Sequence, residues 1–189
     1  MSIPTFKHCL DFVNQLKVHL VNNRCTVIGI DGKDGVGKST LAITLADELD
    51  LELIEIDKYL IKNQGGYVDY IKYPILDEIL RNAQKLQKSV IIEGICLIEV
   101  LERLMVKPDI LIYVKRMMPN GWYDSYYCEP NKNPEALLKN IKESNEKAHK
   151  LFGSPPPQQD DLRFSIIEYH QEYKPTEKAD YFFEHIWKK

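Results

Sequence analysis

Apolar residues recur along this chain with two alternating periods, and that alternation predicts an α/β fold. From Thr5 to Asn22, Phe6, Leu10, Val13, Leu16, Leu20 and Val21 fall at helical spacing, with Thr5 a candidate N-cap. Short, nearly continuous apolar runs follow at Thr26–Asp31, Leu51–Asp57, Val90–Gly94, Ile110–Val114 and Tyr181–Trp187. Their length and β-branched content predict strands. Between them, Thr40–Leu49, Ile75–Leu86 and Leu97–Met105 carry helical spacing, as do Pro134–Leu151 and Leu162–Tyr173 later on. Strands apolar on both faces, alternating with helices, predict a mostly parallel, roughly five-stranded sheet inside a three-layer α/β/α domain. Residues 1–189 read as that single domain, with an extra N-terminal helix at 5–22. A Gly65-Gly66 turn, an irregular Tyr-, Asn- and Pro-rich stretch at Pro119–Pro134 and a proline-bearing linker at Gly153–Asp161 punctuate the pattern. The linker and the irregular stretch fall within a lid-like insertion at 116–161.

Composition adds exclusions. With 44% hydrophobic and 28% charged residues and a formal charge of −3, the chain has no basic field that would suggest a nucleic-acid partner. No 18-residue apolar run is present and the N-terminus lacks a signal-peptide apolar core, so no membrane partner and a cytoplasmic location are expected. Cys9, Cys25, Cys96 and Cys128 form no C-x-x-C pair; reduced, mostly buried thiols are expected, without a zinc site. The five histidines likewise offer no metal-ligand spacing.

The chemistry is concentrated at the end of the first apolar strand. Ile28–Thr40 reads IGIDGKDGVGKST and contains Gly32-x-x-x-x-Gly37-Lys38-Ser39, flanked by a strand and a helix. This order points several backbone N–H groups and the helix dipole at one spot, which suits a phosphate. Gly32, Lys33, Asp34, Gly35, Val36, Gly37, Lys38, Ser39 and Thr40 are the candidate ATP-binding residues. Lys38 brings a cation to the β- and γ-phosphates, and the Ser39 hydroxyl is a candidate Mg²⁺ ligand.

Ligands in open α/β sheets bind beyond the carboxyl ends of the strands. Two further strand ends carry acids: Asp57 after the second predicted strand and Glu93 after the third. Asp57 is assigned as the base that accepts an acceptor hydroxyl's proton, and Glu93 as a holder of Mg²⁺ or its water. The two roles could be exchanged or shared, Asp57 then also serving the metal; each acid could instead only cap the next helix. Trp122, Tyr123, Tyr126 and Tyr127 form an aromatic cluster that either stacks on a flat ligand or pins its loop, and pinning is the commoner use. His170, beside Tyr169 and Tyr173, is expected to be packed or solvent-tipped rather than catalytic.

VIGIDGKDGVGKST, EIDKYL, VIIEGICLI and YHQEYKPTEKADYFF together resemble the uridine kinase and phosphoribulokinase-like group of P-loop kinases, over residues 24–115 and 162–187. The resemblance implies a P-loop kinase fold and transfer of the ATP γ-phosphoryl group, with Mg²⁺, to a hydroxyl of a small molecule such as a nucleoside or another ribose-containing compound. It matches Asp57 to the group's hydroxyl-activating aspartate and Glu93 to its metal-coordinating acid. It also puts Tyr59 on the substrate side and makes Asp69, in Tyr67-Val68-Asp69-Tyr70, a candidate ribose contact. Two departures stand out. The insertion that helps form a pyrimidine pocket is missing between Arg81 and Ser89. The arginine-rich lid is reduced to Arg116 within it and Arg163 just after it, and one of these is expected to neutralise the transferring group. Competing readings are a nucleotide-binding ATPase-like protein without acceptor transfer, a nucleoside monophosphate kinase, and a GTPase. Against the GTPase, Asn131-Lys132-Asn133-Pro134 lacks the aspartate of the guanine motif. The N-terminal helix is expected either to cover the sheet or to form a homodimer contact.

Overall fold

The strand that leads into the Gly32–Ser39 loop lies inside the sheet, with a parallel neighbour on each side. The structure, a computed structural model, describes residues 2–22, 25–61, 67–130, 133–152 and 162–186. The Gly65-Gly66 turn, the 153–161 linker, Trp187, Asn131 and Lys132 lie outside them. Strands β1 (Thr5–Phe6), β2 (Val27–Asp31), β3 (Glu52–Glu55), β4 (Val90–Glu93), β5 (Ile110–Met118), β6 (Gly121–Trp122) and β7 (Tyr181–Ile186) form one sheet. Its order is β1-β7-β5-β2-β4-β3, every neighbour in it parallel, with β6 paired antiparallel to β5. The five predicted strands are all present, and β2 sits between β4 and β5 with Ile28 opposite Ile91 and Ile110.

Helices α1 (Cys9–Asn22) and α2 (Lys38–Leu49) cover one face; α3 (Tyr73–Lys85), α4 (Leu97–Arg103) and α7 (Leu162–Glu172) cover the other. Strand alternation sorts the core: Ile28, Ile30 and Ile91 go to the first face, Val90, Ile92 and Leu111 to the second. Between β6 and α7 lie the short α5 (Ser125–Cys128) and the long α6 (Pro134–Phe152). Leu137 and Ile141 of α6 pack on Phe164 and Ile167 of α7. The four-residue α8 (Pro175–Lys178) leads into β7.

Three expectations are corrected. Thr5 does not cap the first helix: Thr5 and Phe6 pair with Phe182 and Phe183 as an edge strand, and the helix starts at Cys9. The short strand covers the otherwise open edge of β7. The helix covers the sheet through Phe12, Val13 and Leu16, with Phe6 stacked on Phe12, whereas Leu10 and Val21 remain 67% and 84% exposed. Second, Asp57 does not end a strand; β3 stops at Glu55, and Asp57 lies in the 3₁₀ turn Ile56–Tyr59. Third, Pro119–Pro134 is not uniformly irregular, since β5 runs on to Met118, turns back as β6 and continues into α5. Of the four thiols, Cys96 and Cys128 are buried and Cys9 and Cys25 half-buried, all free. Burial pushes the Cys128 thiol up to about 12, so it stays a neutral packing group. No helix among the described residues is long and apolar enough to cross a membrane.

Candidate active site

The loop between β2 and α2 is shaped by two glycines that no other residue replaces. Gly32 has φ +146°, and a Cβ there would lie 2.8 Å from the Val114 carbonyl oxygen of β5. Gly37 has φ +98° and caps α2 without a side-chain hydrogen bond; a Cβ there would run into the His185 imidazole. The first turn of α2 thus offers its amides to a ligand rather than to a capping side chain.

Lys38, only 6% exposed, donates from Nζ to the Lys33 carbonyl at 2.9 Å, within the loop itself. Burial pushes its pKa down; Glu93, Asp31, Asp57 and Asp34, in that order, pull it back up. The Ser39 hydroxyl donates to Glu93 Oε1 at 2.9 Å. Burial raises the Glu93 carboxyl above its ordinary range, with Lys38 and then the Ser39 hydrogen bond opposing. Across the same cleft, of about 720 Å³, Asp57 Oδ1 accepts from the Tyr67 hydroxyl at 2.6 Å. Lys38, Ser39, Asp57, Tyr67, Glu93 and His185 all line this cleft. Two other hollows, of about 500 and 650 Å³, sit around Asp109 at the opposite ends of the strands and hold no P-loop residue.

The structure thus brings Lys38, Ser39, Asp57 and Glu93 together and separates the two acids by partner. Glu93 belongs to the P-loop side through Ser39, and Asp57 to the far wall through Tyr67. Oxygen donors at the loop mouth suit a hard cation such as Mg²⁺, so Ser39 and Glu93 fit that ion. Asp69 and Tyr59, expected on the substrate side, do not line the cleft. Asp69, its side chain 75% exposed, is held by Arg103 Nη1 at 2.6 Å; Tyr59 packs half-buried against the core beneath α3. Arg116 is also kept from the cleft, bonding buried Asp124 at 2.7 and 3.2 Å and lying over the Tyr123 ring at 4.3 Å. Asp124 is in turn 3.7 Å from Lys33 Nζ, so this acid links Arg116 to the P-loop. Arg163 is exposed in the first turn of α7, next to the cleft-lining Leu162. The aromatic cluster pins its loop: Trp122 packs edge-on to Tyr113 and Tyr126 on Tyr127, with no ring of the four lining the cleft.

Several residues of the site were missed. His185, at the end of β7, donates from Nδ1 to the Val36 carbonyl at 2.9 Å and braces the loop from below; its position at a strand's carboxyl end was the available signal. Asp31, fully buried, accepts from the Gly32 amide at 2.7 Å and from the Tyr169 hydroxyl, tying the P-loop to α7. Burial raises its carboxyl, with those hydrogen bonds opposing.

His170 packs as expected. Its Nδ1 donates to the Ile166 carbonyl at 2.6 Å and its Nε2 accepts from the Tyr113 hydroxyl at 2.7 Å. Burial first, with Lys33 and Lys38 adding to it, brings its pKa down to about 4. The unfolded chain, near 6.5, therefore takes up a proton that the native protein refuses. Stability is full above about pH 6.5 and falls as pH drops toward 4, by about 3 kcal/mol from this one group. Denaturant unfolding of wild type and His170→Gln between pH 4 and 7 checks this. Asp31 and Glu93 titrate in both proteins, so the difference isolates His170, and a difference that does not change with pH refutes the assignment.

No protein-family model and no curated protein sequence matches the chain. Among solved structures, a possible uridine kinase from Bacillus stearothermophilus superposes with a TM-score of 0.53 at 15% identity, over 93% of this chain and 97% of that one. Weaker matches include a shikimate kinase from Bacteroides thetaiotaomicron (TM-score 0.39, 18% identity, 84% of this chain and 86% of that one) and a thymidylate kinase from Ehrlichia chaffeensis (0.37, 14%, 82% and 99%). At these identities the likeness is one of fold. The chain has the three-layer α/β fold of that possible uridine kinase, with a mostly parallel sheet.

Proposed function

We propose that this protein is an ATP-dependent kinase that phosphorylates a hydroxyl of a small metabolite. The observation that carries the reading is the Ser39–Glu93 hydrogen bond beside Lys38, with Asp57 across the same cleft. Phosphates would lie on the α2 amides and Lys38. Ser39 and Glu93 would hold Mg²⁺, which when bound neutralises charge on the phosphates. Asp57 accepts the proton of the acceptor hydroxyl as its oxygen bonds to the γ-phosphorus and the bond to the β–γ bridging oxygen breaks, releasing ADP.

The cleft's charge narrows the acceptor. Among its described lining residues, Lys38 is the only lysine or arginine, against Asp34, Asp57 and Glu93. A second phosphate on the acceptor would face acids, which disfavours a nucleoside monophosphate and favours an acceptor without an anionic group. A nucleoside or another ribose-containing compound, as the sequence resemblance implies, meets that requirement. One observation favours a second reading, nucleotide binding without transfer: Arg116 is engaged by Asp124 instead of facing the cleft.

A thermal-shift screen separates the two. Mg²⁺ with a non-hydrolysable ATP analogue should raise the melting temperature, and a nucleoside, riboside or vitamin from a panel should raise it further, since each ligand stabilises the folded state by RT ln(1 + [L]/Kd). A saturating ligand at about 100 Kd adds roughly 2.7 kcal/mol. Absence of any nucleotide shift removes both readings. A nucleotide shift with no acceptor shift, and no phosphorylated product across the panel, leaves the second.

A further inference from the structure

Tyr67 occupies an unusual place in the cleft: it lines the cavity, yet only 5% of it is exposed. Its ring belongs to the core cluster on the α3–α4 side of the sheet. Its hydroxyl donates to Asp57 Oδ1 at 2.6 Å and accepts from the Ile95 amide, so one oxygen bridges the segments just beyond β3 and β4, the strands that lead to the two acids. The neighbouring Gly94 keeps that place open. A Cβ at Gly94 would stand 3.1 Å from the Tyr67 hydroxyl and 2.8 Å from Ile56 Cδ1, so any side chain there pushes the phenol or Ile56 away. Glycine after Glu93 is thereby explained by close approach, since its φ is ordinary.

Asp57 needs such a partner. It lies in an exposed 3₁₀ turn beyond the end of β3, where a carboxylate has several rotamers open to it. A short charge-assisted hydrogen bond from a rigid, buried donor selects one. Burial, then the hydrogen bond to Asp57, pushes the Tyr67 phenol far above its ordinary value, so it remains a donor and cannot itself be the base at neutral pH.

We propose that Tyr67 is a positioning residue, which fixes the Asp57 carboxylate so that its second oxygen is presented to the acceptor hydroxyl. This rests on the kinase reading above and adds a residue that acts through Asp57. Glu93 would be oriented in parallel by Ser39, one hydroxyl donor for each acid.

The test is a kinetic double-mutant cycle over wild type, Tyr67→Phe, Asp57→Asn and the double variant, with Mg·ATP as donor and uridine and water as acceptor probes. Phenylalanine keeps the ring and its packing, and thermal unfolding verifies that the variant is folded. Tyr67→Phe is expected to lower kcat about tenfold, the equivalent of one hydrogen bond, with the Kd for Mg·ATP unchanged. In the Asp57→Asn background the same change is expected to cost less than about twofold, because the group it positions no longer acts as a base. An equal loss in both backgrounds means that Tyr67 only supports structure, and overturns the proposal. So does a Tyr67→Phe protein with wild-type kcat, which leaves the kinase reading intact. A wild type that binds Mg·ATP but transfers to neither probe brings down this assignment; failure across the whole acceptor panel brings down the kinase reading as well.

Discussion

Replacing Lys38 by methionine is expected to lower phosphoryl transfer by about 10²–10³-fold while leaving the melting temperature at or above that of wild type. The first half follows from charge: no other lysine or arginine among the described residues lines the cleft, and an electrostatic donor aimed at developing transition-state charge is worth about 10²–10³ in rate even when it is one of several. The second half follows from the sign of the pKa shift. Glu93, Asp31, Asp57 and Asp34 all favour the ammonium, yet burial outweighs them and the pKa falls. The fold therefore holds this charge at a net cost, which an apolar side chain of similar length removes. A gain in stability coupled to a loss of function is the pattern expected of a strained site. Steady-state kinetics and thermal unfolding of Lys38→Met check both halves. Transfer within tenfold of wild type would remove Lys38 from the phosphate site. Lys38→Arg is not expected to rescue, because a planar guanidinium does not reproduce the compact ammonium that meets the Lys33 carbonyl.

Asp57→Asn should lower kcat by about 10²–10⁴, the range for loss of a general base, with Mg·ATP affinity retained. The substitution is nearly isosteric, and an amide oxygen can still accept from Tyr67, so the wall of the cleft keeps its shape. Asp57 is exposed, and stability should change by no more than about 0.5 kcal/mol. Calorimetric titration with Mg·ATP, together with single-turnover transfer, separates binding from chemistry. Unimpaired turnover would move the base role to Glu93, the other acid of the cleft. The geometry argues against that exchange: Glu93 is 3% exposed and engaged by the P-loop serine, whereas Asp57 faces the open part of the cavity.

Arg116 gives these predictions a common background. Its guanidinium is paired with Asp124, which also lies near Lys33 of the P-loop. Lys38 is then the one lysine or arginine among the described residues that line the cleft, and this is the physical basis for the large effect assigned to it.

Local chemistry decided the part of the site that could be read from the chain alone. The glycine-rich loop lies within eight consecutive residues, so glycines at 32 and 37 and a lysine and serine at 38 and 39 specify it without knowledge of the rest. The apolar runs of β2, β4 and β5 are equally local, and strand ends carrying acids pointed to Asp57 and Glu93. Partnerships between distant segments were hidden. His185 meets Val36 across 149 residues and Tyr169 meets Asp31 across 138, and both depend on which strands and helices become neighbours. The same tertiary arrangement left Asp69 with Arg103 and Tyr59 half-buried against the core, took Arg116 to Asp124, and gave Asp57 its phenol donor. Period and motif carry information about a segment's own backbone. Side-chain partners are set by packing between segments, and only the folded sheet determines that.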